Sequence, residues 1–492
     1  MKRLFTPALF CALAITGSTY GAAQEDDYYK IISYPQSDDP ELKLEICSMV
    51  ALEDGGLMVG TRTGDIFKIE NAYGEPAKAK FTKFARGLNH PLGLLEHEGW
   101  IYLAQRGELT RLKDTNKDGR ADQFETVCDK WAISGNYHEF NFGPRMDKEG
   151  FMWVTLNKPF GGEPYGKAPW RGWAVRIDPK TGEMQPMCAG LRSPCGVEIA
   201  PWGDVFYTDN QGEWCNASKL AHLEYGDFHG HPHGLKNTQQ LAGPPFDKIP
   251  EPESGTWMKD LKKSVPQWKM PAVWFPYDKM GKSPSGLKWD ITEGKFGPFA
   301  GQLFVGDQHH SWLMRVALEK VKGHWQGACF LFREGFQSGI LRMAFGKDAT
   351  MFVGMSNAGW GSRGNKPWGL QKLVWTGKVP FEIHEMKARP DGFELTFTKL
   401  VDKKAASNPA NYRGESYTYQ LRSAYGGPED DKQDLKIVSA KVGADGKSIR
   451  LKLDTIRAGY VHELHLSNVK ASDGTDLLHS VAYYTLVNVP ES

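Results

Sequence analysis

One pattern recurs between about residue 47 and residue 375, and it restricts the fold more than any other property of the chain. Each copy opens on a glycine-containing turn, often Pro-x-Gly, and runs into an apolar strand. A Gly or Asp turn, a second strand and a polar strand closed by Arg or Lys follow. Six copies are visible. The first holds LMVGTRTGDIFKI at 57–69, and the second follows Pro91-Leu92-Gly93 with WIYLAQRGELTRL. The third is NYHEFNFGPRMDKEGFMWVT at 136–155 with a strand at 173–177, and the fourth follows Pro194-Cys195-Gly196 with DVFYTDNQGEW. The fifth follows Pro284-Ser285-Gly286 with QLFVGDQHHSWLMRV, and the sixth joins residues 339–343 to TMFVGMSN and GLQKLVW. A unit of short antiparallel strands cannot bury both of its faces alone, so units at this period stack radially as propeller blades. The expectation is a six-bladed β-propeller over residues 24–379, with a long insertion at 227–272 and an early strand at 28–33 placed to complete the last blade.

Beyond residue 377 the texture changes to alternating strands such as FEIHEMKARPDGFELTFTKLVD and SIRLKLD, joined by Asp-Gly or Asn/Gly turns. Residues 380–492 therefore read as an Ig-like antiparallel β-sandwich, and the whole chain as all-β. The sandwich gathers no convergent reactive groups, which makes it a structural or interaction module.

The first 23 residues carry Lys2 and Arg3, an apolar stretch from Leu4 to Ile15 and small residues ending in Ala23. That is the pattern of a secretory signal peptide cleaved after Ala23, and it implies a secreted or periplasmic protein. No later run approaches the roughly 20 apolar residues of a membrane span. Six cysteines follow the signal, an even number that permits up to three disulfides in an oxidising compartment. The 60 basic and 59 acidic residues nearly cancel, which argues against nucleic acid as a partner. With 16 Trp and 54 Gly, the chain suits a small-molecule or carbohydrate ligand held on aromatic faces.

Two constellations carry chemistry. DTNKDGRADQFE at 114–125 sets oxygen donors at the spacing of a calcium loop: Asp114, Asn116, Asp118, the Arg120 carbonyl, Asp122 and Glu125, with Gly119 at the sharp turn. The strand-like GELTRLK before it points to a structural ion. The second constellation is His138, heading the third copy, and Arg192 in GLRSPCG at 190–196, two groups that a propeller would bring to one channel mouth. His229, His231 and His233 in DFHGHPHG, with Asp209 and Asn210, are an alternative metal set. His309-His310 reads as a strand pair whose side chains diverge. Trp153, Trp170, Trp173, Trp214, Trp312 and Trp360 are candidate stacking platforms or core residues.

HEFNFGPRMDKEGFMWVT resembles the histidine-to-Phe-Gly-Pro-Asp-Gly stretch of the glucose/sorbosone dehydrogenase family, soluble quinoproteins built on a six-bladed propeller. GLRSPCG, YTDNQGEW and YGDFHGHP are similar to its Arg-Asn-Pro-x-Gly, glycine-rich and Asn-Tyr-Gly-Trp-Pro segments. The resemblance covers about 330 residues and is nearest the secreted propeller-plus-sandwich form found in planctomycete-like bacteria. It implies oxidation of a sugar or related alcohol, with His138 as general base, Arg192 on the quinone oxygen, and Arg342, Gln211 and Gly212 at a pyrroloquinoline quinone whose electrons pass to a redox partner protein. The chain also departs from that pattern. Lys158 stands where the family has the aspartate that orients the histidine, His309-His310 where it has a lysine, and Ile340 where it has one of a pair of arginines. Two other functions fit the same mouth: a carbohydrate-binding propeller without chemistry, and a metal-dependent lactonase-type hydrolase.

Overall fold

The computed structural model describes residues 24–37, 39–161, 167–246 and 248–491. The segment read as a signal peptide lies outside them. Six antiparallel sheets form the blades. Blade one is Ile46–Ala51, Leu57–Thr61, Ile66–Glu70 and Lys80–Ala85, and blade two is Leu94–His97, Trp100–Ala104, Leu109–Lys113 and Gln123–Cys128. Blade three is Asn141–Met146, Met152–Leu156, Trp173–Ile177 and Met184–Ala189. Blade four is Pro194–Ile199, Val205–Asp209, Ser218–Leu223 and Val273–Phe275. Blade five is Pro284–Trp289, Leu303–Asp307, Trp312–Val321 and His324–Arg333. Blade six takes Ile340–Phe345, Met351–Ser356 and Trp368–Trp375 from late in the chain and Tyr29–Ser33 from its start. The ring is thus closed by the early strand, as the repeat pattern requires.

The first strand of each blade touches the first strand of the next all the way round, so these strands line the channel. Their crowding explains the recurrent Pro-x-Gly. A Cβ on Gly196 would lie 2.4 Å from the Ser285 carbonyl oxygen of the next blade, and one on Gly286 would lie 2.6 Å from that of Leu341. Bulges interrupt the first pairing of blades one, three, four, five and six, which bends the inner strands as they reach the mouth.

The insertion separates the last two strands of blade four and contains a 3₁₀ segment, Pro232–Gln240. After Trp375 come two more sheets. Ile383–Arg389, Gly392–Phe397, Ser448–Leu453 and Ile437–Val442 form one, and Val481–Leu486, Tyr460–Leu466, Tyr412–Thr418 and Asp430–Asp434 line up in the other. Buried side chains from both, among them Met386, Phe393, Leu451, Tyr412, Leu464 and Tyr484, share one core. The second of these sheets is not separate from the propeller. Gly327, Ala328 and Cys329 on the outer strand of blade five pair with Thr485, Tyr484 and Tyr483, making one eight-stranded sheet.

All six cysteines of the described residues are unpaired, so the disulfides permitted by their even number do not form. Thiols at the blade seams face backbone carbonyls of the neighbouring blade. Cys47 Sγ faces the Pro91 carbonyl at 3.4 Å, for example, and Cys329 Sγ faces that of Trp274 at 3.7 Å.

Candidate functional site

Two loops leading into the inner strands of blades three and four build the channel mouth. The loop at 191–193 is fixed by Asp209, whose fully buried carboxylate accepts the backbone N–H groups of Arg192 (3.1 Å) and Ser193 (2.7 Å). The loop at 136–140 is fixed by Asn136, whose Oδ1 accepts from the backbone of His138 (3.0 Å) and of Phe160 (3.1 Å). That shared acceptor sets Phe160 flat on the His138 ring, with centroids 3.7 Å apart and planes 20° from parallel.

No acidic side chain orients His138. Its Nδ1 donates to the Lys158 carbonyl oxygen at 2.6 Å, so Nε2 carries the lone pair and accepts from the Ser193 hydroxyl at 2.9 Å. The departure at Lys158 therefore leaves the tautomer intact, because a backbone carbonyl does the work of the missing aspartate. Burial pushes the His138 pKa down to about 3, and the nearby Arg192 and Lys158 add to the shift. The imidazole is neutral throughout the physiological range.

Arg192 and Lys158 converge on Glu213. Arg192 Nη2 and Nε lie 2.9 and 3.2 Å from Glu213 Oε2, and the Lys158 ammonium contacts Oε1. Burial and Arg192 draw the Lys158 pKa down to about 7. Arg192 also lies between the rings of Phe160 and Tyr425, each 5.1 Å away. Gly212 makes room for it, since a Cβ there would fall 1.8 Å from Arg192 Nε. Gln211 is turned inward, its amide donating to the Asn216 carbonyl at 2.8 Å. Arg342 sits deeper in the channel as a strut, its guanidinium bound to the carbonyls of Leu92 (3.0 Å), Cys195 (2.9 Å) and Leu341.

Two hollows share His138, Ser193, Asn210 and Gln308 in their walls. The inner one, about 110 Å³, reaches down to Phe142 and Arg342, and the outer one, about 70 Å³, opens past Phe160, Tyr277, Trp360 and Tyr425. At the rim Tyr425 is 60% exposed, Trp360 56% and Tyr277 39%. Asn210 Oδ1 and Gln308 Oε1 are buried without a partner among the described residues. Local patterning could not reveal Glu213, Ser193 or Tyr425 as mouth residues. Tyr425 comes from beyond the propeller and is tied to Glu213 by a backbone bridge. Of the six tryptophans named from sequence, Trp360 is exposed, Trp153, Trp173 and Trp312 are buried, and Trp170 and Trp214 lie between.

The other candidates lie apart. In the loop at 114–125, Asp114 accepts from the backbone of Asp118 and Gly119 (3.2 and 2.8 Å), Asn116 from Asp118 (3.0 Å) and Asp118 from Arg120 (2.9 Å). Asp122 holds Thr115, and Glu125, already on the strand Gln123–Cys128, pairs with Arg111. The three alternating histidines do not gather. His229 packs against Tyr207, and the His231 and His233 rings are 6.4 Å apart. His309 and His310, by contrast, do not lie in a strand: Leu303–Asp307 ends just before them, and they occupy the turn that follows.

A family model described as a domain of unknown function (DUF7133) matches residues 40–261. No curated protein matches the chain. Among solved structures, a Trichoderma reesei protein of carbohydrate-active enzyme family AA12 is 12% identical, covering 71% of this chain and 96% of its own, with a TM-score of 0.50. A soluble aldose sugar dehydrogenase from Escherichia coli in its apo form is 15% identical over 70% of this chain and 99% of its own, at 0.49. The PQQ-bound aldose sugar dehydrogenase of Streptomyces coelicolor is 14% identical over 70% and 98%, at 0.48. The propeller is the fold that this chain shares with the family AA12 protein. At these identities the likeness is one of fold. Among the described residues no helix is long and apolar enough to cross a membrane.

Proposed function

We propose that the channel mouth binds a sugar or a related polyhydric alcohol in an exported protein, with His138 Nε2 as the acceptor of a hydrogen bond from a bound hydroxyl. The observation that carries this reading is the ring of Phe160, Tyr277, Trp360 and Tyr425 above the unspent acceptors Asn210 Oδ1 and Gln308 Oε1. Aromatic faces take the C–H faces of a pyranose, and buried acceptors left unpaired are satisfied by its hydroxyls. His138 supports the second part. Its neutral ring offers Nε2 to the hollow, and a hydroxyl arriving there exchanges with, or relays through, Ser193 Oγ.

Oxidation of the bound alcohol is the second reading, favoured by the fixed tautomer of His138. Pyrroloquinoline quinone would supply a hydride acceptor, but it is a tricarboxylate and needs unspent cations. Arg192 and Lys158 share Glu213, and Arg342 is committed to three carbonyls. These three cations are spent on protein acceptors, and no step is assigned through the quinone. The lactonase reading lacks a gathered ligand set at His229, His231 and His233.

Calorimetric titration against a panel of mono- and oligosaccharides tests the proposal. Wild type binds at least one of them, and Trp360→Ala and Tyr425→Ala each weaken binding about 10-fold, roughly the worth of one lost stacking contact. Equal affinity in both variants, or no binding at all, defeats it. Adding quinone and a redox dye to the same samples separates the readings: dye reduction lost in His138→Ala means oxidation, and binding without reduction means recognition alone.

A structural calcium ion in the loop at 114–125 is part of the same proposal. Asp114, Asn116, Asp118 and Asp122 supply side-chain oxygens and Arg120 its carbonyl, with Glu125 kept by Arg111. Calcium is expected to raise the melting temperature by a few degrees through preferential binding to the folded state, and Asp118→Ala to abolish the rise. A melting curve indifferent to calcium and chelator would count against the ion.

A further inference from the structure

We propose that Asp278, His309 and His310 bind one divalent transition-metal ion of the zinc class at the edge of the mouth. This rests on neither the sugar reading nor the loop at 114–125. One ligand atom from each of the three residues lies within 4.8 Å of the other two, and His310 Nε2 is 3.6 Å from Asp278 Oδ1. Ligands at roughly 2.1 Å from a tetrahedral ion lie roughly 3.4 Å from one another, so a small inward adjustment closes the site.

The two histidines can converge because they sit in a turn. Asp307 pins that turn and the Asp278 loop together, accepting from the backbone of His310 at 2.8 Å and from those of Lys282 and Ser283 at 2.8 and 2.9 Å. His310 supplies the observation that calls for a ligand. Its side chain is 0% exposed, stacked on Trp312 at 4.0 Å, and neither ring nitrogen has a hydrogen-bond partner among the described residues. A buried imidazole left in that state is costly unless something binds it. His309 is held by one hydrogen bond. Its Nδ1 donates to the Gly361 carbonyl at 2.9 Å, which leaves the Nε2 lone pair for a metal.

Two cations compete for the carboxylate. Lys282 Nζ is 3.4 Å and Arg363 Nη2 3.8 Å from Asp278 Oδ1, both longer than a charge-assisted hydrogen bond, so they balance the carboxylate loosely and an ion can displace them. Three protein ligands leave a fourth position open. His309, Tyr277 and Lys282 line the outer hollow, so that position opens towards the space shared with His138. An ion there would hold and polarise a ligand oxygen.

The test is cobalt titration of the full chain, free of calcium, read by the visible absorption of tetrahedral Co²⁺ and by equilibrium dialysis, with zinc as competitor. One equivalent per chain, displaced by zinc and lost in both Asp278→Asn and His309→Gln, is the expected result. Both substitutions fall on exposed or half-exposed side chains, which spares the fold. Binding far below one equivalent in wild type, or undiminished binding in the two variants, overturns the assignment.

Discussion

Deletion of residues 24–34 is expected to destabilise the propeller by more than about 5 kcal/mol, or to leave no soluble folded protein. The strand Tyr29–Ser33 pairs residue by residue with the third strand of blade six, from Tyr29 opposite Trp375 to Ser33 opposite Gln371. Tyr29 is 2% exposed among Phe296, Phe332 and other aromatic rings, and removing one such side chain costs roughly 2–3 kcal/mol. A second loss is electrostatic. Arg333, with its side chain 2% exposed, pairs with Glu25 at 2.8 Å and donates to the Tyr29 carbonyl at 3.0 Å. Stripping a buried guanidinium of its partner costs about 3–5 kcal/mol more. Thermal unfolding measures the sum, and a melting temperature within a few degrees of wild type would show that the ring closes without this strand.

The second large effect is a loss of stability in alkali. His479 lies between Glu382 (2.6 Å) and Glu25 (2.9 Å), which ties the C-terminal unit to the start of the chain. Burial pulls its pKa down, but the Glu382 and Glu25 carboxylates outweigh burial and hold it at about 10. A folded pKa above the unfolded value of about 6.5 means stability that is complete below pH 6.5 and lost as pH rises through 10. The contribution reaches at most about 5 kcal/mol. Glu25 acts in the opposite window. Burial raises its pKa, yet His479 and Arg333 bring it below the ordinary value, so its contribution fades as pH falls below about 4.5. Denaturant unfolding at pH 6.5 and pH 10 should show a marked drop in wild type and a flatter profile, from a lower start, in His479→Gln. Parallel profiles would remove His479 as the cause.

Periodicity and turn chemistry make the ring legible: six copies, the closing strand and the insertion in the fourth all follow from spacing within short windows. What spacing cannot carry is pairing between distant segments. Gly327 joins Thr485, and Lys158 meets Glu213 across 55 positions, contacts fixed by packing that leave no local mark. The same limit applies at the site. His138 and Arg192 are visible as blade-leading residues, but the carbonyl that fixes the His138 tautomer belongs to a backbone, and backbones have no letter. The strand reading of His309-His310 fails because it extends alternation three residues past Asp307, where that carboxylate turns the chain. The even cysteine count suits an oxidising compartment, whereas the six thiols are all unpaired.

The eight-stranded sheet has a consequence for how the molecule comes apart. A ring of six similar blades could open at its closing strand while a C-terminal unit stays folded, giving two transitions. Here the outer strand of blade five is an inner strand of the larger sheet, and Tyr425 reaches back to the mouth. Neither part can melt without baring an edge of the other. Propeller and C-terminal unit therefore form one cooperative block. A ligand stacked between Phe160 and Tyr425 would bridge both parts and slow the unfolding of the whole chain rather than of its mouth alone.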